Sequence, residues 1–145
     1  MIYLGSDHGG YELKEKIKQN FDRRGVSYVD MGPTELDPED DYPDFAAAVA
    51  RRVAKSKKDR GILICRSSNG MAMAANKVKG IRAGIAWNTE TAEKSVEHNH
   101  ANVLCLSADG VSKSQNIKII TAWQKARPSK VSRHVRRVKK INKLD

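Results

Sequence analysis

The sequence predicts an α/β protein built on a five-stranded, mostly parallel sheet with helices on both faces. Three observations carry that prediction. Short apolar runs alternate with segments of helical periodicity, in βαβαβ order. The strand-like runs are near-continuous apolar stretches, as expected when both faces of a sheet are covered. The chain has 145 residues, no internal repeat and no low-complexity segment, so residues 1–145 are read as one domain.

Each element has its own signal. Met1–Gly5 is a short apolar run ending in glycine, followed by Ser6-Asp7-His8-Gly9-Gly10. Tyr11, Leu13, Ile17 and Phe21 then recur at helical spacing among Lys and Glu. Val26–Met31 is β-branched and aromatic and reads as the second strand. Pro33 to Asp44 holds three prolines with Glu35, Asp37, Glu39, Asp40, Asp41 and Asp44, and reads as a loop. Phe45–Lys55 is an Ala-rich helix with Phe45, Val49 and Val53 on one stripe. Ile62–Cys65 is a buried-type strand, the polar turn Arg66-Ser67-Ser68-Asn69-Gly70 follows, and Met71–Val78 reads as a short buried helix. Ile81–Trp87 is the fourth strand. Thr89–His100 is helical with Thr89 as its expected N-cap. Ala101–Leu106 is the fifth strand, and Ser112 caps a helix to about Ala126. After Pro128, Val131, Val135, Val138 and Ile141 mark a final basic helix to Leu144.

Composition excludes several classes. No apolar run approaches the roughly 20 residues that span a bilayer. No secretory signal is expected at the N-terminus. Two cysteines, Cys65 and Cys105, make neither a disulfide framework nor a zinc cluster. A soluble, reduced, cytoplasmic protein is expected. The net charge of +10 is unevenly spread. From Lys125 to Asp145 nine basic residues stand against one acid, giving +8, and residues 1–124 carry only +2. The basicity is therefore a C-terminal feature.

Ligands of such sheets bind at the carboxyl ends of the strands. Those ends are Asp7-His8, Cys65 to Gly70 and Asp109. A cysteine just before a helix lies near N–H groups that favour a thiolate and can hold an oxyanion or a phosphate. A buried structural cysteine is the commoner fate of this residue type in an apolar strand. In Asp7-His8-Gly9-Gly10 the glycines allow close backbone approach, but their spacing is not a dinucleotide fingerprint. His98 and His100 are two apart and do not share a helix face, which argues against a metal pair. Arg133 and Arg137 are four apart and can grip one phosphate, although a solvated basic face is the plainer reading. The tail lacks aromatics, so it offers no platform for single-stranded nucleic acid.

These pieces together resemble one family, the type B ribose-5-phosphate isomerases, whose group includes galactose-6-phosphate isomerase subunits. The resemblance runs almost end to end. It is carried by Gly5-Ser6-Asp7-His8-Gly9-Gly10, Asp41-Tyr42-Pro43-Asp44, Gly61–Cys65, Gly70–Lys77 through Gly80-Ile81-Arg82-Ala83, Glu97-His98-Asn99 with Ala101–Leu104, and Arg133-His134 through Arg137. It implies a Rossmann-like three-layer α/β/α sandwich in a homodimer, in some members a tetramer, with the C-terminal helix packing on a partner subunit. It implies interconversion of ribose 5-phosphate and ribulose 5-phosphate through an enediolate, with no metal and no cofactor. Cys65 would be the base, His98 would help open the sugar ring, and Ser67 would contact its reacting end. Asp7, His8, Tyr42, Asn99, the turn residues Arg66, Ser68, Asn69 and Gly70, and Asp109 would line the site. His8, Arg133 and Arg137 would bind phosphate, in sites shared between subunits. A hexose 6-phosphate of allose or galactose type is the alternative substrate. A non-catalytic member holding anions or nucleic acid on its basic tail is a further alternative. Neither a membrane nor nucleic acid is expected as a partner.

The turn departs from the family pattern. Arg66 and Ser68 stand where glycines are usual, and Asp109 stands where many members carry Arg. Were both glycine positions to need φ > 0, each would cost about 1 kcal/mol. Arg66 also puts a bulky cation, and Asp109 an anion, beside the expected substrate.

Overall fold

The computed structural model describes residues 1–145. Five strands form one sheet: β1 Ile2–Ser6, β2 Tyr28–Asp30, β3 Arg60–Cys65, β4 Ala83–Ile85 and β5 Val103–Ser107. Their order is β2-β1-β3-β5-β4, and every pairing is parallel. Six helices accompany them: α1 Tyr11–Arg24, α2 Tyr42–Val53, α3 Asn69–Ala75, α4 Thr89–Glu97, α5 Lys113–Lys125 and α6 Ser132–Ile141. The Rossmann-like three-layer sandwich is thus the observed architecture.

Alternation along each strand divides the core in two. Leu4, Ile62, Ile64, Leu104 and Leu106 point to one face and pack with Leu13, Ile17 and Phe21 of α1, Val96 of α4 and Trp123 of α5. Tyr3, Leu63, Cys65, Val103 and Cys105 point to the other face and meet Val49 and Val53 of α2 and Met71 and Ala75 of α3. Cys65 lies on the α2–α3 side because it is odd in the same register that sends Ile62 and Ile64 to the α1 side. That single parity sets its neighbours.

Several boundaries differ from the sequence reading. α2 opens at Tyr42 rather than Phe45, because Pro43 fits a first helical turn, where no N–H is needed. The predicted acidic loop therefore ends at Asp41. α3 starts at Asn69 and ends at Ala75, two to three residues earlier than predicted. The N-cap of α4 is Asn88, not Thr89. Asn88 Oδ1 accepts from the Thr91 N–H at 2.8 Å, and Thr91 Oγ1 receives the Asn88 N–H in return, a capping box. Ser112 caps α5 as expected. β2 and β4 are three residues each, and both lie at sheet edges.

Of the two turn positions where glycine is usual, only Ser68 has a positive φ, at 69°; Arg66 has none. Ser68 is buried and its side chain makes no capping bond to α3. A left-handed non-glycine residue is strained, and glycine relieves that strain at some cost in chain entropy. Ser68→Gly is therefore expected to stabilise the fold by about 1 kcal/mol. A urea titration checks this, and a destabilised variant would show that the buried hydroxyl outweighs the backbone.

Candidate functional site

The chain leaves β1 toward β2 and returns to β3 on the other side of β1. The carboxyl ends of β1 and β3 therefore flank a topological switch point, where ligands of such sheets bind. Asp7-His8 and Cys65–Gly70 stand on its two sides. The Asp7 N–H donates to Ile64 O at 3.3 Å and ties the two ends together. Asp7 is buried, and its carboxylate accepts the Gly10 N–H at 3.0 Å, fixing the single 3-10 turn His8–Gly10.

Cys65 points down onto the first turn of α3. The Ser68 N–H donates to its Sγ at 3.1 Å. Burial pushes the thiol up from its ordinary range, while N–H groups of Met71, Ser68 and Ser67 pull it back, and the Asp7 carboxylate adds to the rise. The resting thiol is thus held protonated but surrounded by donors ready for a thiolate. The other cysteine, Cys105, is fully enclosed in the sheet and is pushed higher by burial alone before Cys65 adds to it.

Three side chains frame the mouth. Tyr42, exposed at the start of α2, lays its ring over Gly70, where a Cβ would come within 2.7 Å of ring carbons. Arg66 lies with its aliphatic stem over Gly9, where a Cβ would meet Cγ at 2.5 Å. Its Nη1 reaches Asp109 Oδ2 at 3.5 Å, so the cation and the anion that depart from the family pattern face each other. The Arg66 carbonyl accepts the Ser107 hydroxyl at 2.6 Å and the Asp109 N–H at 3.1 Å, locking its backbone to the end of β5. Ser67 and Asn69 are exposed beside it.

His8 carries a partner that the sequence did not single out. Asp40 Oδ1 accepts from the His8 N–H at 3.1 Å and lies 2.7 Å from Nδ1. The acidic segment that reads as a solvated loop thus sends one carboxylate inward. The loop is anchored at its start by the buried Lys14, whose Nζ donates to Asp30 Oδ1 at 2.7 Å and to Pro33 O at 2.6 Å.

The remaining candidates lie elsewhere. His98 follows α4 and Asn99 is next to it. His98 stacks on His134 of α6 with ring centroids 4.3 Å apart. Burial holds His134 below the ordinary histidine range, and charges on His98, Arg133 and Arg137 add to that. His134 is a second residue missed in the sequence; its burial within a basic helix gave no signal. Arg133 and Arg137 are exposed on α6. α4 runs against the strands, so His98 returns to their amino edge. Asn102 O there accepts the Gly61 N–H, four residues from Cys65 along β3, or about 13 Å. Within one chain the site residues therefore form two groups at opposite edges of the sheet. No group of three or more His, Cys, Asp or Glu side chains is placed to hold a metal ion. No helix is long and apolar enough to cross a membrane.

The hydrogen bond to Asp40 is the largest cause raising the His8 pKa, with the Asp7 charge adding to it and burial and Arg66 opposing. A histidine raised on folding stabilises the fold fully below its ordinary pKa, and loses that contribution as pH rises through the raised value. Asp40→Asn should lower the His8 midpoint followed by NMR. An unmoved midpoint would remove Asp40 as the holder of His8.

The chain matches the ribose/galactose isomerase family model over residues 2–141. It is 47% identical over 141 residues to a probable ribose-5-phosphate isomerase B of Mycoplasma genitalium, covering 97% of this chain and 92% of that one. It is 37% identical over 137 residues to ribose-5-phosphate isomerase B of Mycobacterium tuberculosis, covering 94% and 85%. The crystal structure of the Mycoplasma genitalium ribose-5-phosphate isomerase B with bound ribulose-5-phosphate superposes with a TM-score of 0.93 at 44% identity, covering 99% of this chain and 94% of that one. The type B enzyme of Trypanosoma brucei gives 0.92 at 38%, covering 99% and 97%. The chain therefore belongs to the ribose/galactose isomerase family and is an enzyme of the isomerase class.

Proposed function

We propose that this protein interconverts ribose 5-phosphate and ribulose 5-phosphate, in sites that each take residues from two copies of the chain. The observation that carries this reading is Cys65 at the switch point, with N–H groups turned onto its sulfur. Aldose–ketose isomerisation moves a proton between C2 and C1 and passes through an enediolate. Cys65 as thiolate takes the proton from C2 and returns it at C1. Backbone N–H groups of Asn69 and Gly70, in the first turn of α3 where helical acceptors are missing, and the Ser67 hydroxyl face the enediolate oxygens. Asp7, Tyr42, Ser68 and Asn99 confine the sugar. His98 assists ring opening.

The phosphate is remote from the bond changes, and its binding energy orients the sugar. His8 and Arg66 serve it or its neighbouring hydroxyls from one side, with Asp109 steering the guanidinium. Arg133 and Arg137 approach from the second copy. The two-copy arrangement is supported by the separation of the groups, since Cys65 and His98 end elements at opposite edges. It is also supported by α6, which with its flanking residues leaves Val131, Ile141 and Leu144 exposed.

Two experiments test this. Purified protein mixed with ribose 5-phosphate should form ribulose 5-phosphate, and Cys65→Ala should abolish it without unfolding the protein. No turnover on any pentose or hexose phosphate rejects the enzymatic reading; retained activity removes Cys65 as the base. For the shared site, Cys65→Ala and His98→Ala proteins are inactive alone. Dissociated and reassembled together, half the pairs are mixed and each mixed pair regains one intact site. Activity should then rise to about one quarter of wild type. A mixture that stays inactive would place both groups in one chain.

A further inference from the structure

A cavity lined by five cations lies away from Cys65, at the amino edge of the sheet. It has a volume of about 590 Å³. Lys57 and Lys58 enter it from the α2–β3 connection, Arg60 from the start of β3, Arg82 from just before β4, and Arg127 from beyond α5. We propose that this cleft binds a small polyphosphate anion of nucleotide size.

The argument rests on how the three guanidiniums are held. Arg60 lies over the Trp123 ring, 3.5 Å from its centroid, and donates Nη2 to Trp123 O at 2.8 Å. Arg82 donates Nε to His100 O at 3.0 Å and Nη1 to Asn142 Oδ1 at 2.9 Å. Arg127 donates Nη1 to the carbonyls of Gln124, Lys125 and Ala126. Every acceptor is neutral, and none of the three arginines makes a salt bridge. The groups are fixed in orientation while their charge stays undischarged. An arginine held by a carboxylate would have lost that charge to its partner.

The local carboxylates do not change the balance. Asp59 holds the Met1 ammonium at 3.0 Å. Asp145 acts on Arg82 at a distance, against a larger effect of burial. The carbonyl end of α5 offsets about half a charge beside Arg60 and Arg127. Arg60 shows the resulting strain: burial, with the Arg127 charge adding to it, brings its pKa down to about 10.

The size and charge of the cleft select the ligand class. Its volume falls in the range of small-molecule sites, roughly 300–1,000 Å³. Five cations on separate walls exceed what one monophosphate can neutralise, and suit a diphosphate or triphosphate. Ala54, Ala126 and Pro128 add apolar lining against which a ring can pack. His100 also lines the cleft, with its backbone held at φ 52°, two residues from His98.

Calorimetry with the full-length protein tests the inference, using ADP, pyrophosphate and inorganic phosphate as probes. ADP and pyrophosphate should bind, and inorganic phosphate at least tenfold more weakly. Lys57→Ala/Lys58→Ala changes only exposed connection residues and should weaken ADP at least tenfold, with turnover of ribose 5-phosphate unchanged. Adding Arg127→Ala should weaken it further, and thermal melting confirms that each variant is folded. Arg133→Ala/Arg137→Ala should leave ADP affinity as it was. Absence of ADP and pyrophosphate binding at millimolar concentration overturns the proposal. So does affinity lost through Arg133 and Arg137 instead, equal affinity for inorganic phosphate, or binding confined to polynucleotide. These binding arms do not depend on which sugar phosphate is turned over.

Discussion

A parallel strand and the helix that follows it run in opposite directions. A residue that ends a strand and a residue that ends the next helix therefore lie at opposite edges of the sheet. Cys65 ends β3 and His98 follows the end of α4. No adjustment of side chains brings them together across a distance of about 13 Å or more along the strands. The chemistry proposed for this protein needs both, so the antiparallel relation of strand and helix itself calls for a second copy. A twofold pair meets that need without further invention, since each edge then supplies what the other lacks.

The same geometry bears on how the base is activated. In the single chain, burial keeps the Cys65 thiol protonated, and the nearest charge is the unhelpful carboxylate of Asp7. The N–H groups around Sγ favour a thiolate but do not prevail alone. A second copy would bring the His98 imidazole, a proton acceptor, toward that sulfur. Proton loss would then be coupled to assembly and to substrate, which keeps a reactive thiolate from standing open to solvent.

Much of this was legible in the sequence because it follows local rules. Parity within Ile62–Cys65 assigns the faces of β3, and Ser112 announces α5 by its hydroxyl. The start of α2 was misplaced because Pro43 reads as a loop residue although a first helical turn accepts it, and the N-cap of α4 because Asn88 and Thr89 are both good candidates. The positive φ at Ser68 but not at Arg66 depends on how the turn docks on β5 through the Arg66 carbonyl, a contact far away in sequence. Asp40 was hidden for a related reason. One inward carboxylate among six acidic residues has no local mark, and only the path of the loop over Lys14 aims it at His8.

The uneven charge of the chain takes on meaning in this frame. Apart from Asp40, the acids of the segment 33–44 remain exposed: Glu35, Asp37, Glu39, Asp41 and Asp44. They surround the edge that carries His8 and Tyr42. The tail from Lys125 to Asp145 carries +8, of which Arg133 and Arg137, and Arg127 in the amino-edge cleft, have a proposed task. In the proposed pair, α6 of one copy approaches the acidic edge of the other. Opposite potentials of this kind speed and orient encounter and disfavour wrong registers more than they add affinity. The other basic residues of α6 then need no separate ligand. In that pair their charge would help bring two arginines to a phosphate, and the +10 of the whole chain would reflect a partition between two edges.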